Sequence, residues 1–198
     1  INKIFIKTFC LDLNNLNEHI NMLNVAKREL ENIDLVLIAH GSLSDQKKCE
    51  IDIELTMAEI KNNGLSTISL LTHFANYFEN RKKGTIAIIS SVAGERGRAS
   101  NYVYGSSKSL VTTFASGLRQ RLNRFNVKVL TIKLGLVDTP MTSSFKKGLL
   151  WSKPQYVGKK IVQSIDNGKD EIYIPKFWFL IFLVIKSIPS SIFKKLNF

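Results

Sequence analysis

At 198 residues, with 44% hydrophobic content, the chain has the size and composition of one ordinary globular domain with a sizeable core. Its formal charge of +12 gives the sign of an expected partner, an anion such as phosphate, nucleic acid or an acidic lipid surface, and nothing finer. Cys10 and Cys49 stand far apart without a histidine at ligand spacing, which excludes a zinc motif and a disulfide framework; both thiols are expected reduced, and no metal is expected.

In chain order, "NKIFIKTFCLDL" alternates and then turns apolar, predicting a strand that ends near Asp12. Leu16, Ile20, Leu23 and Leu30 follow at helical spacing, behind asparagines suited to an N-cap. "DLVLIAHG" is a short apolar run closed by glycine and predicts a strand buried on both faces. A long helical stretch from Met57 ends in basic residues before Gly84, and "TIAIIS" predicts the next strand. The segment from Asn101 to Phe125 predicts a helix with Leu110, Phe114, Leu118 and Leu122 on one face, and "VKVLTIKLG" another strand. Regular alternation of strands and helices predicts an α/β domain, a parallel sheet with helices on both faces, whose ligands sit at the carboxyl ends of the strands. His19, His40 and His73 are scattered and expected to be structural.

One motif points to chemistry. In "YVYGSSK" Tyr104 stands four residues before Lys108, one helical turn, so the ammonium can lie beneath the phenol and lower its pKa from about 10 towards a useful range. Small neighbours, Gly105, Ser106 and Ser107, predict that something bulky approaches the backbone here. Ser91 lies thirteen residues before Tyr104, at the end of a predicted strand, where it could hydrogen-bond a carbonyl oxygen that gains charge. The same spacing recurs at Ser143, Tyr156 and Lys160, but no strand precedes that serine and Pro154 interrupts the approach to that tyrosine.

"TIAIISSVAG" followed by "NYVYGSSK" resembles the catalytic segment of the short-chain dehydrogenases/reductases. The resemblance implies a Rossmann-like doubly wound fold and hydride transfer between NADP or NAD and a carbonyl or alcohol. It implies Tyr104 as general acid/base, Lys108 as the group that lowers its pKa and holds the nicotinamide ribose, and Ser91 as carbonyl anchor. Asn63, with Asn62 as the adjacent alternative, falls on the family's relay asparagine. For the cofactor it implies Asp12 and Leu13 near the adenine, Ala39, His40 and Gly41 in "IAHG", and Gly135, Val137 and Thr139 in "IKLGLVDTPM" around the nicotinamide. His40 and Leu134 depart from the family's pattern. "AHGSLSDQ" and the "PKFWF" tail further resemble a bacterial subgroup of decaprenylphosphoryl-2-keto-erythropentose reductases, implying a lipid-linked keto-sugar substrate.

The family's Thr-Gly-x-x-x-Gly-x-Gly turn, on which the cofactor pyrophosphate rests, has no match in residues 1–198. The N-terminal strand-helix-strand is therefore read as absent from the chain, with a full protein roughly 45 to 55 residues longer; the competing reading is an inactive Rossmann-like binding or structural protein.

Residues 1–175 are expected to form the domain and 176–198 a membrane-associating amphipathic segment. "FWFLIFLVI" is bracketed by Lys176 and Lys186, too short to span a bilayer and suited to an anionic interface. The expected setting is cytoplasmic, peripheral on the inner face of the membrane, with the chain a homo-oligomer. Nucleic-acid binding is not expected, since the basic residues are dispersed.

Overall fold

The computed structural model describes residues 5–196. Four strands, β1 (Leu35–Ile38), β2 (Gly84–Ser91), β3 (Val127–Leu134) and β4 (Glu171–Ile174), form one sheet in that order. All three pairings are parallel, with Ile38 opposite Ile88, Ser91 opposite Leu134 and Leu134 opposite Ile174, so the carboxyl ends of β2, β3 and β4 finish level.

Parallel strands require crossovers, and the apolar positions of the connecting helices set where these pack. On one face α1 (His19–Leu30), α4 (Ser66–Arg81) and α5 (Tyr102–Asn123) cover the sheet. The main core lies there, with Leu71, Phe78, Ile86, Ile88, Val111, Leu122 and Val129 buried. On the other face α6 (Pro154–Asp166) seats Val157 and Ile161 against Ala87, Leu130, Ile132 and Ile174. The α/β doubly wound arrangement is therefore present, with unequal cover.

That inequality corrects β1, which is half-exposed rather than buried on both faces. Leu35 and Leu37 are 43% and 45% exposed, because among the described residues no helix lies over them and no strand pairs with the free edge of β1. The predicted first strand is also corrected: residues 5–12 carry no strand pairing, and Phe5 and Ile6 are exposed. Its first residues, 2–4, lie outside the described ones. Strand character needs a neighbour to receive its backbone bonds.

Two helix faces rotate from those expected. In α1 the buried residues are His19 and Leu23, whereas Ile20 and Leu30 are exposed; in α5 they include Val103, Val111, Ala115, Leu118 and Leu122, whereas Leu110 points outward. The long helical stretch is also interrupted. A short α2 (Gln46–Cys49) precedes α3 (Ile53–Ile60), and a π-helical turn, Lys61–Leu65, joins α3 to α4. Helix α4 ends on Lys82 in the left-handed region, and Gly84 follows at φ +140°, where the Phe78 ring would meet any Cβ.

The tail helix α7 (Phe177–Ser187) lies against the domain rather than apart from it, followed by a short α8 (Ser190–Phe193). Trp178 and Phe182 are buried with Val92, beside Leu136, Tyr173, Ile181 and Ile185. A buried ion network adds to this contact. Lys133 Nζ reaches Glu95 at 2.5 Å and Glu171 at 2.8 Å, and Lys186 of α7 reaches the other Glu95 oxygen at 2.5 Å. Arg96 donates to the carbonyl oxygens of Ile185 and Ile188, closing the end of α7.

Candidate functional site

The site forms where β2 ends, because two segments approach backbone to backbone. The Val92–Glu95 turn follows Ser91 and lies against the start of α5. A Cβ at Gly94 would stand 2.7 Å from Ser109 N, and one at Gly105 would stand 2.8 Å from the Ala93 carbonyl oxygen. Both glycines are therefore required for this closeness. The bulky group expected near Gly105 proves to be the chain's own turn; Ser107 is buried and bonds the Val103 carbonyl, while Ser106 is exposed. The Gln46 side chain accepts the Val103 N–H at 3.1 Å and so fixes the first turn of α5.

Ser91 is held by its own turn. Its Oγ accepts from Ala93 N at 3.1 Å and donates to the Leu134 carbonyl oxygen at 3.3 Å. The Tyr104 hydroxyl lies beside the Ser91 side chain, which favours its ionised form. Lys108, one turn along α5, is buried, with Nζ 5.6 Å from the centre of the Tyr104 ring. Among the described residues that ammonium donates to the Ile89 carbonyl oxygen, at 3.4 Å. The structure thus brings Ser91, Tyr104 and Lys108 together.

The electrostatics correct the expected direction for the phenol. Burial pushes Tyr104 up to about 12, against the Ser91 side chain, and the negative charge of Glu59 adds to the rise. Burial likewise pulls Lys108 down to about 8, with Glu59 opposing. Taking both groups out of water outweighs the attraction that one helical turn would provide. At neutral pH Tyr104 is a phenol, equipped to donate a proton, and Lys108 is mostly an ammonium.

Asn63 joins this group from the π-helical turn and is fully buried. Its Oδ1 accepts the Ser42 N–H at 3.1 Å, and its Nδ2 donates to Glu59 Oε1 at 2.9 Å. Gly41 lies between Asn63 and Lys108: a Cβ there would stand 2.6 Å from Asn63 Oδ1 and 3.5 Å from Lys108 Nζ. Asn62, the alternative, donates to Ser42 Oγ at 2.8 Å. Sequence reasoning missed Glu59, which also accepts Ser42 Oγ at 2.8 Å and Ser44 Oγ at 2.6 Å. The available signal was its position four residues before Asn63, on the same helical face.

The remaining candidates are distributed around this end of the sheet. Asp12 is exposed and accepts the Asn14 N–H at 2.9 Å; Leu13 packs beside the main core, and its carbonyl oxygen lies 3.0 Å from His19 Nε2. Ala39 is exposed just beyond β1. The His40 ring turns to α4, 2.7 Å from Ser66 Oγ, and is held below its usual pKa by burial and by the Lys108 charge. Its side chain is thereby engaged by the protein. Gly135 has a packing reason of its own, since a Cβ would collide with the Trp178 indole of α7. Val137 is buried, and its carbonyl oxygen accepts Thr142 Oγ1 at 2.6 Å; the Thr139 backbone folds onto the same threonine.

Comparisons agree with this fold. An "uncharacterized oxidoreductase" of Mycobacterium tuberculosis is 32% identical over 166 residues, covering 83% of this chain and 66% of that protein. Another from Streptomyces coelicolor is 29% identical over 167 residues, covering 83% and 65%. The chain thus spans just under two thirds of the length of these relatives. A short chain dehydrogenase from Burkholderia cenocepacia, solved in complex with NADP, superposes with a TM-score of 0.81 at 20% identity, covering 94% of this chain and 78% of that one. Residues 2–149 match the family described as short chain dehydrogenase, and with three quarters of its length so matched, the chain belongs to that family.

Proposed function

We propose that the site reduces a carbonyl to an alcohol, with Tyr104 as proton donor. The observation that carries this reading is the placement of the half-buried Ser91 beside a half-buried, protonated Tyr104, one turn from the buried Lys108. A carbonyl oxygen placed against the two hydroxyls accepts from Tyr104, and from Ser91 once its O–H turns from the Leu134 carbonyl oxygen, as negative charge develops, and takes the phenol proton as the alcohol forms. Burial keeps that proton on the tyrosine until it is needed.

The residues fit the nicotinamide end of NAD(P)H, which when bound would supply the hydride. The Lys108 ammonium has three donors, and its bond to the Ile89 carbonyl oxygen is long, leaving donor capacity for a ribose diol beside Tyr104 and Asn63. His40 bonded to α4 leaves the backbone of Ala39–Gly41 as the cofactor-facing part of that loop. The NADP in the Burkholderia cenocepacia structure supports this assignment.

We further propose a hydrophobic or lipid-linked keto substrate, met at an anionic membrane surface. Leu180, Leu183 and Val184 are exposed along α7, and Leu149 and Leu150 are exposed in the loop that follows Thr139. Residues 172–198 contain Lys176, Lys186, Lys194 and Lys195 and no acidic residue. Apolar side chains among lysines suit lipid headgroups. Among the described residues no helix is long and apolar enough to cross a membrane.

The test is titration of the protein with NADPH and NADH, followed by hydride transfer to a panel of ketones and polyprenyl-phosphate-linked keto-sugars. Cofactor binding with turnover is expected; binding without turnover favours the inactive alternative, and no binding refutes the reading. Replacing Leu180, Leu183 and Val184 together by glutamate should release the protein from anionic vesicles, and persistent binding would refute the membrane surface.

A further inference from the structure

Glu59 carries a carboxylate into the interior, at 3% exposure, in the last turn of α3. A buried carboxylate is tolerated only when its oxygens are satisfied. Here Oε2 accepts from Ser42 and Ser44, and Oε1 from Asn63. All three donors are neutral, so the negative charge is oriented by the protein without being cancelled at contact distance.

Its partners are placed on both sides of the proposed site. Asn63 Nδ2 also donates to the Glu59 carbonyl oxygen at 3.2 Å, joining the two residues across the π-helical turn. Asn63 Oδ1 in turn holds the Ser42 N–H, and Lys108 lies on the far side of Gly41. Removing the carboxylate would loosen the Gly41–Ser44 loop at Ser42 Oγ, Ser44 Oγ and Asn63 together.

We propose that Glu59 is a positioning residue of the site, fixing Asn63 and the Gly41–Ser44 loop and supplying the negative charge that balances the Lys108 ammonium. This rests on the reductase reading for its consequence in turnover. The elements packed against α3 carry Tyr104 and Lys108 of α5, Asp45 and Cys49 at the two ends of α2, and the exposed Lys61 of the π-helical turn, and His40 precedes the Gly41–Ser44 loop. Of these, Lys108 and Tyr104 feel its charge, and it favours the protonated form of each.

Lysine Nζ resonances followed by NMR across pH, in the whole chain, test the assignment. Lys108 is expected to titrate near pH 8, and Glu59→Gln should move that midpoint down. Glu59→Asp, which keeps the charge, should restore most of the shift. In the unsubstituted protein the Glu59 carboxyl carbon should show an inflection at the Lys108 midpoint, a readout that survives if Glu59→Gln fails to fold. An unmoved Lys108 midpoint in folded Glu59→Gln, or no inflection at the Glu59 carbon, overturns the proposal. Where turnover is present, the alkaline limb of its pH profile should move down with Lys108. A protein with no turnover that keeps the Lys108 shift refutes the reductase reading and leaves the Glu59 contact standing.

Discussion

Two buried lysines stand near the carboxyl end of the sheet, and their surroundings pull them in opposite directions. Lys133, on β3, is desolvated, but hydrogen bonds to Glu171, Glu95 and Tyr173 overcome that cost and hold it above its usual range. Lys108, on α5, is desolvated with no carboxylate in contact, and falls to about 8. Equal burial thus has unlike meanings. Lys133 belongs to an ion network that fastens α7 to the sheet, whereas Lys108 is held in a setting that costs stability, as the cofactor-holding role proposed for it would require.

The comparison breaks most visibly at Lys133. Lys133→Met leaves Glu95 buried with one cation fewer, so unfolding free energy should fall by about 3–5 kcal/mol, measured by urea denaturation. A change below 1 kcal/mol would show that the network is not structural.

Lys108→Met should have the opposite sign. A folded pKa of about 8 against 10.5 means that the folded state binds fewer protons between those values, so this group makes stability rise with pH across that window. Below pH 8 the penalty is fully present, at most about 3 kcal/mol. The variant should therefore exceed the unsubstituted protein in stability at pH 7, with the gap closing towards pH 10.5. A gap that widens with pH would contradict the assignment.

Gly41→Ala sharpens the site side of the comparison. Its Cβ would press on Asn63 Oδ1, which is fixed by the Ser42 N–H, and overpacking of this kind costs about 1–3 kcal/mol. Cofactor affinity should fall with it in a fluorescence titration. The smallest effect is expected on the exposed side of α7, where Leu183→Gln should change stability by less than about 0.5 kcal/mol while weakening vesicle binding.

The grouping of Ser91, Tyr104 and Lys108 was legible because its signals are local: Ser91 ends an apolar run, and Tyr104 and Lys108 share one helical face. The sign of the Tyr104 shift was not, since spacing reports the neighbouring cation and burial depends on the whole fold. Gly135 looks like a turn glycine, yet its packing reason is Trp178, forty-three residues on. Residues 5–12 have the pattern of a strand, but pairing is a property of neighbours. Glu59 shares a helical face with Asn63, but that spacing does not report burial, which comes only when the Ser42–Ser44 loop folds over it.

The central claim is that Tyr104 delivers the proton. Rates of NADPH oxidation with a ketone substrate, measured for the unsubstituted protein and for Tyr104→Phe with equal cofactor binding and thermal stability, test it most directly. Loss of the hydroxyl should lower the rate by roughly 10²–10⁴-fold. A Tyr104→Phe protein that turns over at the unsubstituted rate would contradict the account.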